Sequence, residues 1–125
     1  EHNADHGWIF KLGALNDFIA TWDDQEVFEQ WNYAVYDPII SHSLPPQFIA
    51  GLPSLVQLAT QSYRNALPQR SGPNNSIYRS VRWGSVIEIF VLDVRTNRTN
   101  ETMIGREQMN WLKDGLTNSD AVFKI

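Results

Sequence analysis

Residues 77–94 read IYRSVRWGSVIEIFVLDV, and the way this stretch folds decides the architecture of the chain. β-branched and aromatic residues dominate both halves, as suits a pleated, half-buried surface. Between them lies Trp83-Gly84-Ser85, where Gly84 can take the positive φ that a tight reversal requires. A β-hairpin is predicted, with arms at residues 77–82 and 86–94. The second arm is apolar apart from Glu88 and the residues at its end, the pattern of a strand in the middle of a sheet.

Working outward, RTNRTNET reads as a loop, and GREQMNWLKDGL as a helix of about three turns. Met109, Leu112 and Leu116 mark its expected apolar face, with Gln108 and Trp111 adjacent. Residues 121–125 are expected to form a last short strand. On the other side, PQRSGPNNS is the strongest loop signal in the chain. Before it, apolar residues from Phe48 to Tyr63 recur mostly at three and four. They predict an amphipathic helix starting near Pro53-Ser54 and ending before Pro68. A short irregular helix is expected over residues 26–36, and a buried strand over residues 18–22. The order of strand, helices, hairpin, helix and strand implies an α/β fold with helices packed on a mixed β-sheet.

At 125 residues, 42% apolar and 19% charged, the chain suits one core, a single domain over residues 1–125. Its abrupt start, and its finish on an apolar strand, lead us to expect a partial domain. A formal charge of −4, with its ten basic residues scattered, speaks against a nucleic-acid partner. Zero cysteines exclude disulfides and thiolate chemistry. No apolar run is long enough to span a membrane, and the first residues lack the basic start of a signal peptide. Three Asn-x-Ser/Thr triplets begin at Asn74, Asn97 and Asn100; so short a pattern is more readily chance than a set of glycosylation sites.

Chemistry concentrates at residues 21–27, TWDDQEV. Two carboxylates at the end of an apolar run suit a cation that prefers oxygen ligands. Taken alone, Asp23 and Asp24 also fit the polar edge of a turn or a helix cap, and the residues by themselves favour that plainer role. Adjacent side chains of an extended segment point opposite ways, so one of the pair faces a given ion. Asp93 and Arg95 stand two apart at a strand end, placed for a structural ion pair. Arg70, in a Gly- and Pro-rich loop, is a candidate anion contact. His2 and His6 have helical spacing but no further ligand nearby, and His42 reads as an exposed loop residue.

Extended along the chain, these stretches resemble the alkaline phosphatase D family of metallophosphoesterases. ATWDDQEV resembles its Asp-Asp-His-Glu segment, and SYRNALPQR its helix end with Pro-x-Arg. YRSVRWGSVIEIFVLDVRTNR resembles its hairpin leading into Leu-Asp-x-Arg, and MIGREQMNWLKDGLTNSDAVFKI its Gln-x-x-Trp-Leu ending.

The resemblance implies a layered α/β sandwich of metallophosphoesterase type. It also implies a metal-dependent phosphoester hydrolase, secreted or periplasmic, acting on small-molecule or lipid phosphoesters with iron and calcium as cofactors. A metal-activated water would attack phosphorus. Asp23 and Asp24 carry over as the acidic, metal-binding pair, with Asp24 at the position the resemblance favours as the ligand. Gln25 occupies the catalytic position where the family has His; an amide there can donate a hydrogen bond but cannot transfer a proton. That substitution opens the alternative of a non-catalytic relative that keeps the fold as a binding or structural unit.

Overall fold

The computed structural model describes residues 19–23, 27, 45–67, 69–99 and 101–125. At its centre is the expected hairpin. Strand β1 (Arg79–Trp83) runs antiparallel to β2 (Ile87–Val91), with Arg79 opposite Val91 and Trp83 opposite Ile87. Gly84 turns the chain at φ +57°, a conformation that costs a residue with a Cβ. The ladder is shorter than the sequence pattern predicts. Beyond it, Leu92 and Asp93 bond to side chains of Thr21 and Gln108.

Strand β3 (Phe123–Lys124) pairs parallel with β2, which makes β2 the middle of the three strands that form a mixed sheet among the described residues. Only its far end, at Phe90 and Val91, is buried; residues 87–89 are half-buried. Glu88 explains the difference, because its carboxylate accepts a hydrogen bond from Ser119 Oγ at 2.6 Å and lies 3.7 Å from Arg82 Nη1. β3 is narrower than the strand expected over residues 121–125, and Phe123 and Ile125 are exposed.

Helix α1 (Pro46–Ala66) starts earlier than predicted and carries Pro53 in its interior. Pro46 fits the first turn, where a missing N–H costs nothing. The sequence pattern missed the part of the helix on the N-terminal side of Pro53, which lies on its exposed side. Leu52, Val56, Ala59 and Tyr63 form a stripe at helical spacing. Val56, Ala59 and Tyr63 pack against the buried pair Trp22 and Ile77, and Leu52 is itself buried. The rings of Trp22 and Tyr63 lie 6.0 Å apart.

Helix α2 (Gly105–Asn118) buries a face shifted from the one predicted, keeping Leu112 but not Met109 or Leu116. Met109 and Leu116 are exposed, while Gln108 is fully buried and the Trp111 ring packs at a tilt against Tyr78, centroids 4.9 Å apart, and edge-on against Phe90 at 5.8 Å. The inner stripe is Gln108, Trp111, Leu112 and Gly115. Gly115 lets the helix come close: a Cβ there would lie 2.5 Å from Phe90 Cε1. Apolarity alone chose the wrong face because the deepest residue on this helix is an amide with backbone partners to satisfy.

Residues 19–23 form no strand of the sheet. Ala20 N–H donates to Gln69 Oε1 at 3.1 Å, Ala20 C=O accepts from Arg79 Nη2 at 2.8 Å, and Thr21 Oγ1 donates to Leu92 C=O at 2.8 Å. Side chains thus replace the backbone ladder that the apolar run suggested. The helix expected over residues 26–36, and His2, His6 and His42, fall outside the described residues except for Val27, which lies in a turn.

Candidate functional site

The candidate site is assembled where residues 21–23 cross the end of β2. Asp93, just past the strand, is buried at 2% exposure, a costly place for a carboxylate unless it is fully hydrogen-bonded. It is. Its Oδ1 accepts Trp22 Nε1–H at 3.0 Å and the backbone N–H groups of Arg95 at 3.0 Å and Thr96 at 2.9 Å; its Oδ2 accepts Thr96 Oγ1 at 2.5 Å. This carboxylate ties the turn after β2 to the indole that precedes the acidic pair.

Gln108 supports Asp93 from behind. Its Oε1 accepts the Asp93 N–H at 2.8 Å, and its Nε2 donates to Asp93 C=O at 2.7 Å and to Ile104 C=O at 3.2 Å. The sequence reading placed Gln108 beside an apolar face without giving it this role. Its available signal was the retained Gln in the linked Gln-x-x-Trp-Leu pattern, at a helical position where propensity alone has no preference.

Arg95 completes the chain of contacts, though not with the expected partner. Its backbone bonds Asp93, but its guanidinium reaches Asp23: Nε lies 2.5 Å from Asp23 Oδ1, and Nη2 pairs with the same oxygen. The Asp23 side chain is 68% exposed and that of Arg95 is 14% exposed. Asp23 is therefore presented to solvent while being held from within the fold.

Asp24 and Gln25 lie outside the described residues. Arg70 is exposed on the rim of a cleft beyond the end of α1. Asn74 and Asn97 are exposed, and Asn100 is outside the described residues.

The donor set can be weighed against a metal. Both Asp93 oxygens are occupied by donors, and Asp23 shares Oδ1 with Arg95. Among the described residues, no three His, Cys, Asp or Glu side chains come together. These residues do not by themselves make a metal site.

A family model described as PhoD-like phosphatase matches residues 10–125, nearly the whole sequence. The chain belongs to the PhoD-like phosphatase family. Among PhoD-like proteins it is 28% identical, over 131 aligned residues, to alkaline phosphatase D of Bacillus subtilis (strain 168), an alignment covering 86% of this chain and 21% of that protein. A solved structure of PhoD superposes with a TM-score of 0.62 at 28% identity, covering 83% of this chain and 23% of the other. The chain thus spans about a fifth to a quarter of the length of the PhoD-like relatives it matches, and its mixed α/β architecture is similar to that of PhoD. No helix among the described residues is long and apolar enough to cross a membrane.

Proposed function

We propose that this chain supplies part of the active site of a metal-dependent phosphoester hydrolase of secreted or periplasmic location. Asp23 and Asp24 are its share of the ligands, and a small-molecule or lipid phosphoester is the substrate. Family membership supports hydrolysis of phosphoesters. The observation that carries the role of Asp23 is its presentation: an exposed carboxylate fixed by Arg95, which rests on Asp93 and Gln108. Such support from behind is what a precisely placed ligand needs. Iron and calcium are the metals the resemblance implies. Because the described donors fall short of a ligand set, the remaining ligands belong to residues other than these. Arg70 is the candidate contact for a phosphoryl oxygen.

The alternative is a non-catalytic relative. Gln25 at the family's His position favours it, since an amide cannot serve as a general acid near neutral pH.

A segment exchange separates the two. Residues 10–125 replace the matching segment of the Bacillus subtilis enzyme, and metal content is measured alongside turnover of bis(p-nitrophenyl) phosphate. The isolated chain is expected to give no turnover. The exchanged protein is expected to retain metal and activity, and to lose both on Asp23→Asn or Asp24→Asn. Full metal content without turnover, not remedied by Gln25→His, would establish the non-catalytic reading.

A further inference from the structure

The Asn-x-Ser/Thr triplets play no part in the acidic site. Ten asparagines and fifteen Ser and Thr residues in 125 positions would give about one such triplet by chance. The chain has three, and two of them, beginning at Asn74 and Asn97, lie wholly within the described residues. Neither has Pro in the middle position, where Asn75 and Arg98 stand.

The two triplets occupy the loops on either side of the β1–β2 hairpin. Asn74 sits in a single 3-10 turn, Pro73–Asn75, closed by Ser76 N–H to Pro73 C=O and by Gly72 N–H to Ser76 C=O, each at 2.9 Å. Asn97 follows the Asp93 turn, in a loop where Thr99 N–H donates to Thr102 C=O at 2.8 Å. A glycan is bulky and strongly hydrated, so a folded chain can carry one only on an asparagine at its surface. Both asparagines are exposed.

The fold also brings them to one place. Asn74 Nδ2 donates to Glu107 Oε1 at 2.9 Å, in the first turn of α2. Asn97 lies against Gly105, the first residue of that helix, where an added Cβ would be 2.9 Å from Asn97 Cβ. Two separate loops thus present an acceptor amide beside the start of α2. A primary amide has two N–H groups, so Asn74 can give up one and keep its bond to Glu107 with the other. The hydroxyls of the triplets serve the turns: Ser76 Oγ donates to Tyr78 C=O at 2.9 Å, and Thr99 Oγ1 accepts the N–H groups of Glu101 and Thr102 at 3.2 Å. The asparagines are therefore the cleaner positions to substitute.

We propose that Asn74 and Asn97 are acceptors of N-linked glycans, added as the chain enters a secretory compartment. This rests on the secreted location proposed above and is independent of catalysis. The donor is an oligosaccharide carried on a lipid diphosphate. The bond from its anomeric carbon to the diphosphate oxygen breaks, a bond to the asparagine Nδ2 forms, and the amide loses one proton as the lipid diphosphate leaves.

The test is cell-free translation of the 125-residue chain, preceded by a cleavable secretion leader, in the presence of endoplasmic-reticulum microsomes. Asn100→Gln removes the third triplet from the readout. Chain that resists added protease has been imported, and it is expected to migrate two glycan steps more slowly, a shift reversed by endoglycosidase H. Asn74→Gln and Asn97→Gln should each remove one step. Because transfer precedes folding, a variant that folds poorly still reports on its remaining acceptor. Imported chain with no shift overturns the proposal, and a substitution without effect overturns it for that residue. The same asparagines are then read by peptide mass spectrometry in the protein recovered from the cells that encode it. Unmodified asparagines in material from outside the cell overturn the proposal while leaving the secreted location intact. Recovery from the cytosol alone overturns the location and, with it, glycan transfer in the cell.

Discussion

The guanidinium of Arg95 meets the Asp23 carboxylate across 72 positions of sequence, with Nε 2.5 Å from Oδ1. One partner is mostly exposed, so the pair is worth little as stability, about 1 kcal/mol or less. Its importance is geometric. Arg95→Ala is expected to leave the urea midpoint nearly unchanged while broadening the NMR resonances of residues 21–23, because Asp23 loses its contact with the guanidinium while the Trp22–Asp93 bond remains.

Gln108→Ala should be far more costly. It leaves the buried N–H and C=O of Asp93 without partners, at about 1–3 kcal/mol for each group, and opens a void besides. Urea denaturation should show a loss of about 3 kcal/mol or more with an unchanged m-value. Gln108→Glu keeps the size and the acceptor but brings a charge to a position with no exposure, and should not restore stability.

At Gly115 two effects oppose each other. Ala in place of Gly favours a helix by about 1 kcal/mol. The added methyl, however, meets Phe90 Cε1 at 2.5 Å, and that ring is pinned by Trp111. Overpacking costs about 1–3 kcal/mol, so Gly115→Ala is expected to lower the melting temperature. An increase would mean that the Phe90 ring shifts freely.

Pro53→Ala should act in the opposite direction. Pro53 is exposed within α1, where it removes a backbone donor. Replacement is expected to raise stability by about 1–3 kcal/mol, seen as a higher melting temperature.

Tyr78 gives the protein an alkaline limit. Burial raises its phenol pKa above the ordinary value of 10.0, and the nearby Glu107 carboxylate pushes it in the same direction. The folded state therefore holds the proton to higher pH than the unfolded chain does. The associated stability is complete below about pH 10 and is lost as pH rises through the folded-state pKa. Urea midpoints measured from pH 9 upward should fall, and Tyr78→Phe should reduce that slope.

The hairpin was legible because composition, turn residue and flanking loops agreed, and the central place of β2 followed from its continuous apolar run. Helix α2 was legible as a helix but not in its orientation. Counting apolar side chains favours Met109 and Leu116, whereas the position of Gln108 is set by the Asp93 backbone 15 residues earlier, a pairing no local pattern encodes. The start of α1 was missed because Pro53 was weighted as a boundary when exposure makes it tolerable. Asp23 was identified as a site residue, but its partner was not. The two-residue spacing of Asp93 and Arg95 suggested that they pair by side chain, while the buried Asp93 carboxylate is consumed by Trp22 and by the turn itself.

The Trp22–Asp93 bond spans 71 residues of chain, and its acceptor is in place only once Gln108 has docked. Closing so long a loop costs entropy that nearby contacts cannot offset until the hairpin and α2 have met. Residues 21–23 are therefore expected to become ordered late as the chain folds. Hydrogen exchange should register its release in step with undocking of α2, with local fraying at residues 19–23 playing no separate part.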